Sequence, residues 1–526
     1  MSETNISRRS VVKNAALLAV TGAVASGAAM LTGCGTPKNG GSGQAASGTS
    51  VDKIKWDEDV DVLVIGSGFT GVAAAIAARE QNPDLNVVLI EKMARPGGNS
   101  IICGNAFAAV GSDAQKQDGV EDSVDLCVKD MLEAGLYLNN VDKCKTIAEK
   151  SWETMQWTET WGVEWNPTLI QFNGHSVKRS MQPNNGIVVP GLARLKELGV
   201  EPRCNTFLER FVVDEANNRI LGASIYEDYQ FNESKPWEPG GTHKMIRARY
   251  GVVLASGGFS RDLVMRQNQM PQLTSDFDST NHPGATAETL DAAFRVGANS
   301  IQIDQIQLLP ETSPDEKGFG NVPKMLYTMP YGVQLNPTTG KRFMNELADR
   351  KRKADAIIAT GEPCVLIIDS SSLKGDLDWR QAKWFQNGLE AGTIKEIPTL
   401  EEVFKTYGIN AEGAAAEIEH YNDMVRKGED TDFGRPIRED CQPLGTEPPF
   451  YCARFWPKVH HCMGGIDTDH ESRVLHYDTP ITGFYAAGEC TGGTHGACRL
   501  GSCAVADCII FGKIAGENVV KESPWF

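Results

Sequence analysis

The chain is predicted to be an α/β protein built on a Rossmann-like parallel sheet, and three features lead there. Its 526 residues, 41% of them hydrophobic, can bury a large core and exclude a small binding module. A β-branched apolar run, Asp59 to Ile65, ends in Gly66-Ser67-Gly68-Phe69-Thr70-Gly71 and is followed by an Ala-rich helical stretch to Gln81. The pattern of a buried strand running into glycines then recurs at Gly251 to Phe259 and at Ile481 to Glu489.

In chain order, Ser7-Arg8-Arg9-Ser10-Val11-Val12-Lys13 precedes an Ala/Gly-rich apolar stretch, Ala15 to Met30, which is the layout of a twin-arginine export signal. That stretch is shorter than the ~20 residues that span a bilayer, so a cleaved signal over 1–34 is expected. Leu31-Thr32-Gly33-Cys34 resembles a lipoprotein signal with Cys34 as the lipid-bearing residue, the alternative being a plain cleavage site. Residues 35–54 are mostly small and are expected to be a flexible linker. The formal charge is −17, and −19 without 1–34, which carry three basic residues and one acidic; such a chain repels nucleic acid. The twelve cysteines after Cys34 match no zinc, c-type haem or iron–sulfur spacing, so no metal is expected. Seven of them between 441 and 508 are unusual for an exported protein unless the organism lives without oxygen.

The first glycine turn is the strongest local signal. Asn86 to Ile90 supplies a second strand, and Glu91 follows Gly71 by 20 residues, where an acid can bond a ribose hydroxyl. Bare glycines let the backbone approach a pyrophosphate, and the helix N-terminus faces its charge. A dinucleotide is therefore expected, and the two later strand–glycine segments are typical of two-dinucleotide-binding flavoproteins, which favours FAD over NAD.

The resemblance then becomes specific. Gly97-Gly98-Asn99-Ser100, Asn281-His282-Pro283-Gly284-Ala285-Thr286, Asn345-Glu346, His460-His461-Cys462-Met463-Gly464-Gly465 and Gly488-Glu489 through Gly501 resemble the fumarate reductase and succinate dehydrogenase flavoprotein superfamily. The likeness is greatest to single-chain exported reductases of fumarate, urocanate and similar enoates. It implies an FAD domain over 55–304 and 459–526 with an inserted, mobile α+β capping domain over 305–458. It places FAD contacts at Gly66, Gly68, Gly71, Glu91, Lys92, Gly98, Asn99, Ser100, Gly104, Gly257, Gly258, His460, Gly488, Glu489, Gly496, Leu500 and Ser502. Members that bind FAD covalently carry a His just after the glycine pair; Ile101-Ile102-Cys103 has none, so FAD is expected to be non-covalent.

Reducing an activated alkene needs a hydride at one carbon, a proton at the next and cations for the enolate-like charge between them. By resemblance the flavin N5 gives the hydride, Arg350 the proton, and His461 with Arg499 clamps the carboxylate; the other reading of Arg350, which opens the basic run Arg350-Lys351-Arg352-Lys353, is a salt bridge within the capping domain. The departures bear on the substrate. Family fumarate reductases have a His where this chain has Leu309, and their other ligands of a second carboxylate, which also relay protons to the donor Arg, fall on Lys324, Met325 and Thr328. Leu309, Met325, Tyr327 and Tyr331 are expected to meet an apolar or aryl tail instead, unless Lys324 or Arg179 restores an anion site. Trp152, Trp157, Trp161 and Trp165 read as a core stripe.

The leading expectation is a reductase of an α,β-unsaturated carboxylate in anaerobic respiration, fed by a separate membrane-linked cytochrome or quinol-dependent donor. An FAD-dependent dehydrogenase or oxidase of a saturated steroid ketone or amino acid is the alternative, and a flavin electron carrier is a third.

Overall fold

The three strand–glycine segments come together on one edge of a single sheet. The computed structural model describes residues 54–373 and 379–526; the expected signal (1–34) and all of the linker but Ile54 lie outside the described residues. The strands Glu58–Ile65, Val87–Ile90, Thr242–Leu254 and Thr479–Ala486 belong to a seven-stranded sheet, completed by Phe207–Asp214, Arg219–Glu227 and Arg473–His476. Glu58–Ile65 pairs in parallel with Val87–Ile90 on one side and with Thr242–Leu254 on the other. The long strand Thr242–Leu254 forks. Its first half pairs antiparallel with Arg219–Glu227, and its last residues, Val252 to Leu254, pair in parallel with Phe484 to Ala486. Because Leu254 is level with both Ile65 and Ala486, all three glycine turns leave the same carboxyl edge. That edge is where open α/β sheets bind ligands.

Side chains alternate between the two faces of this sheet, as the pleat requires. Val62 and Val64 join one core with the helices Phe69–Gln81 and Cys503–Val519; Leu63, Ile65 and Leu254 join the other. The two helices lie nearly backbone to backbone, since a Cβ on Gly516 would stand 2.2 Å from the Ala74 carbonyl oxygen and one on Gly512 would stand 2.6 Å from that of Thr70.

The stretch 305–458 holds a four-stranded antiparallel sheet ordered Val333–Leu335, Cys364–Asp369, Phe450–Phe455, Lys395–Ile397. Val365 and Ile367 face one hydrophobic cluster and Cys364, Leu366 and Ile368 the other, so this sheet too is covered on both sides. A two-stranded ladder joins Ile306–Leu309 to Lys458–Cys462, tying together the two points where the chain enters and leaves this stretch. Contacts join the described residues in one unit.

Candidate active site

The first turn is built around Glu91. The Ser67 N–H and hydroxyl donate to its Oε2 at 3.1 and 2.5 Å, and the Met93 N–H donates to its Oε1 at 2.8 Å. Ser67 Oγ in turn accepts from the Gly97 N–H, and Ser100 Oγ accepts from the Phe69 N–H at the start of the helix, so the Gly66 turn and the Gly97–Ser100 turn are stitched together. Gly66 adopts φ +101° with the Ala255 carbonyl oxygen 2.4 Å from where a Cβ would be; no side chain fits there. Gly98 and Gly257, by contrast, have no heavy atom within 4 Å of a would-be Cβ and face open space.

A cleft lined by Gly66, Glu91, Lys92, Ser256, Gly284, Thr286 and Thr289 runs along this edge. Lys92 is held in it by Glu288, by the Thr286 hydroxyl at 2.6 Å and by the Gly284 carbonyl at 2.9 Å. Asn99 accepts from the His282 N–H at 2.7 Å and bonds Glu489. Gly258 lies so close to Glu489 that a Cβ would be 2.7 Å from its Oε1. Burial pushes the Glu489 carboxyl up to about 7, against the pull of the Cys462 N–H, Arg499 and Asn99. Gly488 abuts Thr70, Gly496 backs onto the Gly135 carbonyl, and the Gly104 carbonyl accepts from Gln182. Leu500 is buried, and Ser502 caps the C-terminal helix at φ +67° with its hydroxyl 2.6 Å from that of Ser180. The open glycines, the cleft and a buried acid at a strand end fit a dinucleotide.

Beside this cradle the ladder sets His461 opposite Gln307. Gln307 bonds both arginine residues, Arg350 through its guanidinium and Arg499 through its main chain. It accepts from Arg350 Nη1 at 3.4 Å and donates to the Arg499 carbonyl at 3.0 Å. His461 is buried, its Nδ1 3.4 Å from Glu489 Oε1 and its ring 5.7 Å from that of His495. Burial, then Arg499, pushes its pKa well below the usual histidine value, so the imidazole is neutral. Burial, reinforced by Arg350, brings Arg499 down to about 10. Its Nε is buried without a hydrogen-bond partner. Neither Arg350 nor Arg499 forms an ion pair among the described residues, whereas Lys351, Arg352 and Lys353 pair with Asp355, Asp349 and Glu311. His460 bonds Thr280 through Nδ1 at 2.7 Å, and burial likewise keeps it neutral.

The residues expected at the substrate tail separate. Leu309 and Met325 are buried at 3% and 0% exposure, while Lys324 is exposed and the Thr328 hydroxyl is bonded to the Met325 carbonyl. Tyr327 stacks on Trp379 at 5.1 Å. Tyr331 bonds Asp440 and lies under Arg438, tied to surface groups rather than to the clamp. Arg179 is committed to Asp122 and Asp130 at full burial. Trp161 sits in the large core, with Trp152, Trp157 and Trp165 packed against it. Gln307, Glu311 and His495 were not singled out by sequence reasoning. Gln307 and Glu311 sit in unremarkable surroundings and matter only through register, whereas His495 stood within a quoted motif.

Fold and site define an FAD-dependent oxidoreductase. The family profile described as FAD binding domain matches residues 61–505. The acrylate reductase flavoprotein subunit of Shewanella woodyi is 38% identical, covering 89% of this chain and 92% of that protein. The urocanate reductase of Eggerthella lenta is 31% identical, covering 88% and 74%. Among solved structures, the open conformation of a flavocytochrome c3 fumarate reductase matches with a TM-score of 0.72 at 30% identity, covering 89% of this chain and 79% of that one. The chain belongs to the FAD binding domain family and, within it, to the fumarate reductase and succinate dehydrogenase flavoproteins. It is an FAD-dependent oxidoreductase of the fumarate and acrylate reductase type, acting on C=C bonds.

Proposed function

We propose that the chain reduces the C=C bond of an α,β-unsaturated monocarboxylate with an apolar or aryl tail. The observation that carries this is the pair Arg350 and Arg499, both bonded to Gln307 and neither in an ion pair among the described residues. An anionic substrate is the counter-ion such a site lacks. Arg499 can fork the carboxylate bidentately, and the neutral His461 can donate an N–H to it. FAD, when bound, supplies the hydride. Arg350, bonded to the buried Gln307 and close to the buried Arg499, donates a proton from its guanidinium to the neighbouring carbon.

A second carboxylate finds no cation at the other end: Leu309 and Met325 are buried and apolar, Lys324 points to solvent and Arg179 is already paired. Leaving it unpaired there would cost several kcal/mol. The relatives named for acrylate and urocanate, one with no tail and one with a ring, bracket the tail. The capping role of 305–458, export by the twin-arginine route with Cys34 as the lipid anchor, anaerobic respiration and a separate membrane-linked electron donor belong to the same proposal. So does non-covalent FAD: acid precipitation is expected to release all the flavin to the supernatant, and flavin retained on the pellet would refute it.

Oxidation of reduced methyl viologen against acrylate, methacrylate, cinnamate, urocanate and fumarate tests the substrate class. The monocarboxylates are expected to show the higher kcat/KM. Fumarate outrunning every one of them would overturn it.

A further inference from the structure

Beside Arg350 lies a charged pair that the proposed chemistry has not used. Glu311 follows Leu309-Pro310 at the end of the strand that carries Gln307, and it is 5% exposed. It is ion-paired with Lys353, itself 2% exposed. Lys353 stands three residues after Arg350 in the helix Arg350–Ala359, hence on the same face. Only one carboxylate oxygen is used: Oε2 of Glu311 is buried with no hydrogen-bond partner. Burial alone would raise the Glu311 carboxyl, but Lys353 and then Arg350 hold it below its ordinary value, so it stands ionised and within the field of Arg350.

Burying an ion pair gives little or no net stability over apolar residues of the same size, so this one calls for another use. A donor arginine sets that need. Each turnover moves one proton from the Arg350 guanidinium to carbon, and the neutral guanidine left behind must then be reprotonated inside the protein.

We propose that Lys353 and Glu311 form the relay that returns a proton to Arg350. The Arg350 N–H bond breaks as the substrate C–H bond forms. The Glu311 carboxylate takes a proton from the Lys353 ammonium, turns, and delivers it through its free oxygen to the neutral guanidine. Lys353, left as the amine, takes one proton from water. The sum is one solvent proton delivered to carbon, with the two electrons entering as the hydride of the established activity.

The relay rests on Arg350 as the proton donor, and the test separates the two. The FAD-loaded double variant Glu311→Gln/Lys353→Met removes both charges at similar volume and so leaves no orphaned ion. Reduction of its flavin by dithionite is expected to proceed at the wild-type rate. Its kcat for the best enoate should fall at least about tenfold with KM within about twofold, and its solvent deuterium isotope effect should rise. An active wild type, an inactive Arg350→Gln and a double variant at wild-type kcat would overturn the relay alone. A wild type inactive on every enoate, or an active Arg350→Gln, would overturn relay and donor together. The wild type supplies a measurement that does not depend on the variant folding: its proton inventory in mixed H2O and D2O should be curved, and a linear plot would overturn the relay.

Discussion

Arg350 stands in a run of four basic residues, and its three companions each hold an acid while it holds only Gln307. That difference favours the proposed donor role over a surface ion pair, and composition could not reveal it. Replacing Arg350 with Gln keeps the hydrogen-bonding shape but removes the transferable charge-bearing proton. Loss of kcat by roughly a thousandfold is expected, within the range typical of a general acid, while the flavin remains bound and dye-reducible. A variant that keeps a tenth of wild-type kcat would move proton donation elsewhere. Arg350, His461 and Arg499 were legible because each sits in a recognisable motif. Gln307 and Glu311 were not, because their roles arise only when Ile306–Leu309 pairs with Lys458–Cys462. Tyr331, near Met325 in sequence, has its hydroxyl bonded to Asp440, which sequence alone did not show. Glu489 allows a prediction from pH. Its carboxyl sits at about 7 in the fold against an ordinary 4.5. The native state therefore keeps a proton that the unfolded chain has lost, and the stabilisation present below pH 4.5 disappears as pH rises through 7. The full effect is on the order of 3 kcal/mol. Urea midpoints of the FAD-free protein should fall from pH 5 to pH 7, and Glu489→Gln should flatten that slope; an unchanged slope would assign the titration to another group.

At the scale of elements, the strand–turn–helix units were legible because buried parallel strands and glycine turns leave local signatures. The strand expected to end at Ile65 does so, and the helix expected to reach Gln81 does too. The helix Arg350–Ala359 breaks a local rule. Four cations occupy its first turn and no acid does, although the helix dipole there favours negative charge. Asp355, Asp349 at the N-cap and Glu311 offset three of these charges, and the fourth, Arg350, bonds Gln307. A local preference overridden in this way points to the site rather than to stability. The C-terminal helix was harder to read, since its close approach to Phe69–Gln81 depends on Gly512 and Gly516 meeting a partner more than 400 residues away in sequence. A side chain at Gly516 has the Ala74 carbonyl in its way, and backbone cannot yield as a flexible side chain can. Gly516→Leu should lower stability by at least about 1–3 kcal/mol and weaken FAD retention, because that helix begins at Ser502 beside the cradle. Thermal unfolding with and without added FAD measures both effects, and a wild-type Tm would contradict the packing.

At the scale of the whole molecule, the two antiparallel crossings at 306–309 and 458–462 join the four-stranded sheet to the nucleotide-binding sheet, and no shift in composition marks them. Charge, by contrast, is legible from sequence and works at long range. The chain carries −17 overall, whereas the site holds the buried Arg499 and the half-buried Arg350, neither of them ion-paired among the described residues. An electron donor approaching from solvent responds to the net charge, because it meets the surface; a substrate anion responds to the clamp only after it has entered. A cationic donor is therefore steered in and an anionic one repelled, and both effects shrink as salt shortens the Debye length from about 30 Å at 0.01 M to about 8 Å at 0.15 M. The rate of flavin reduction by the methyl viologen radical cation should fall severalfold over that range. The rate with an anionic sulfonated viologen should rise, and KM for the enoate should change less than either. Equal salt responses for the two dyes would show that electrons enter where the surface is locally neutral, so that net charge would not govern the choice of donor.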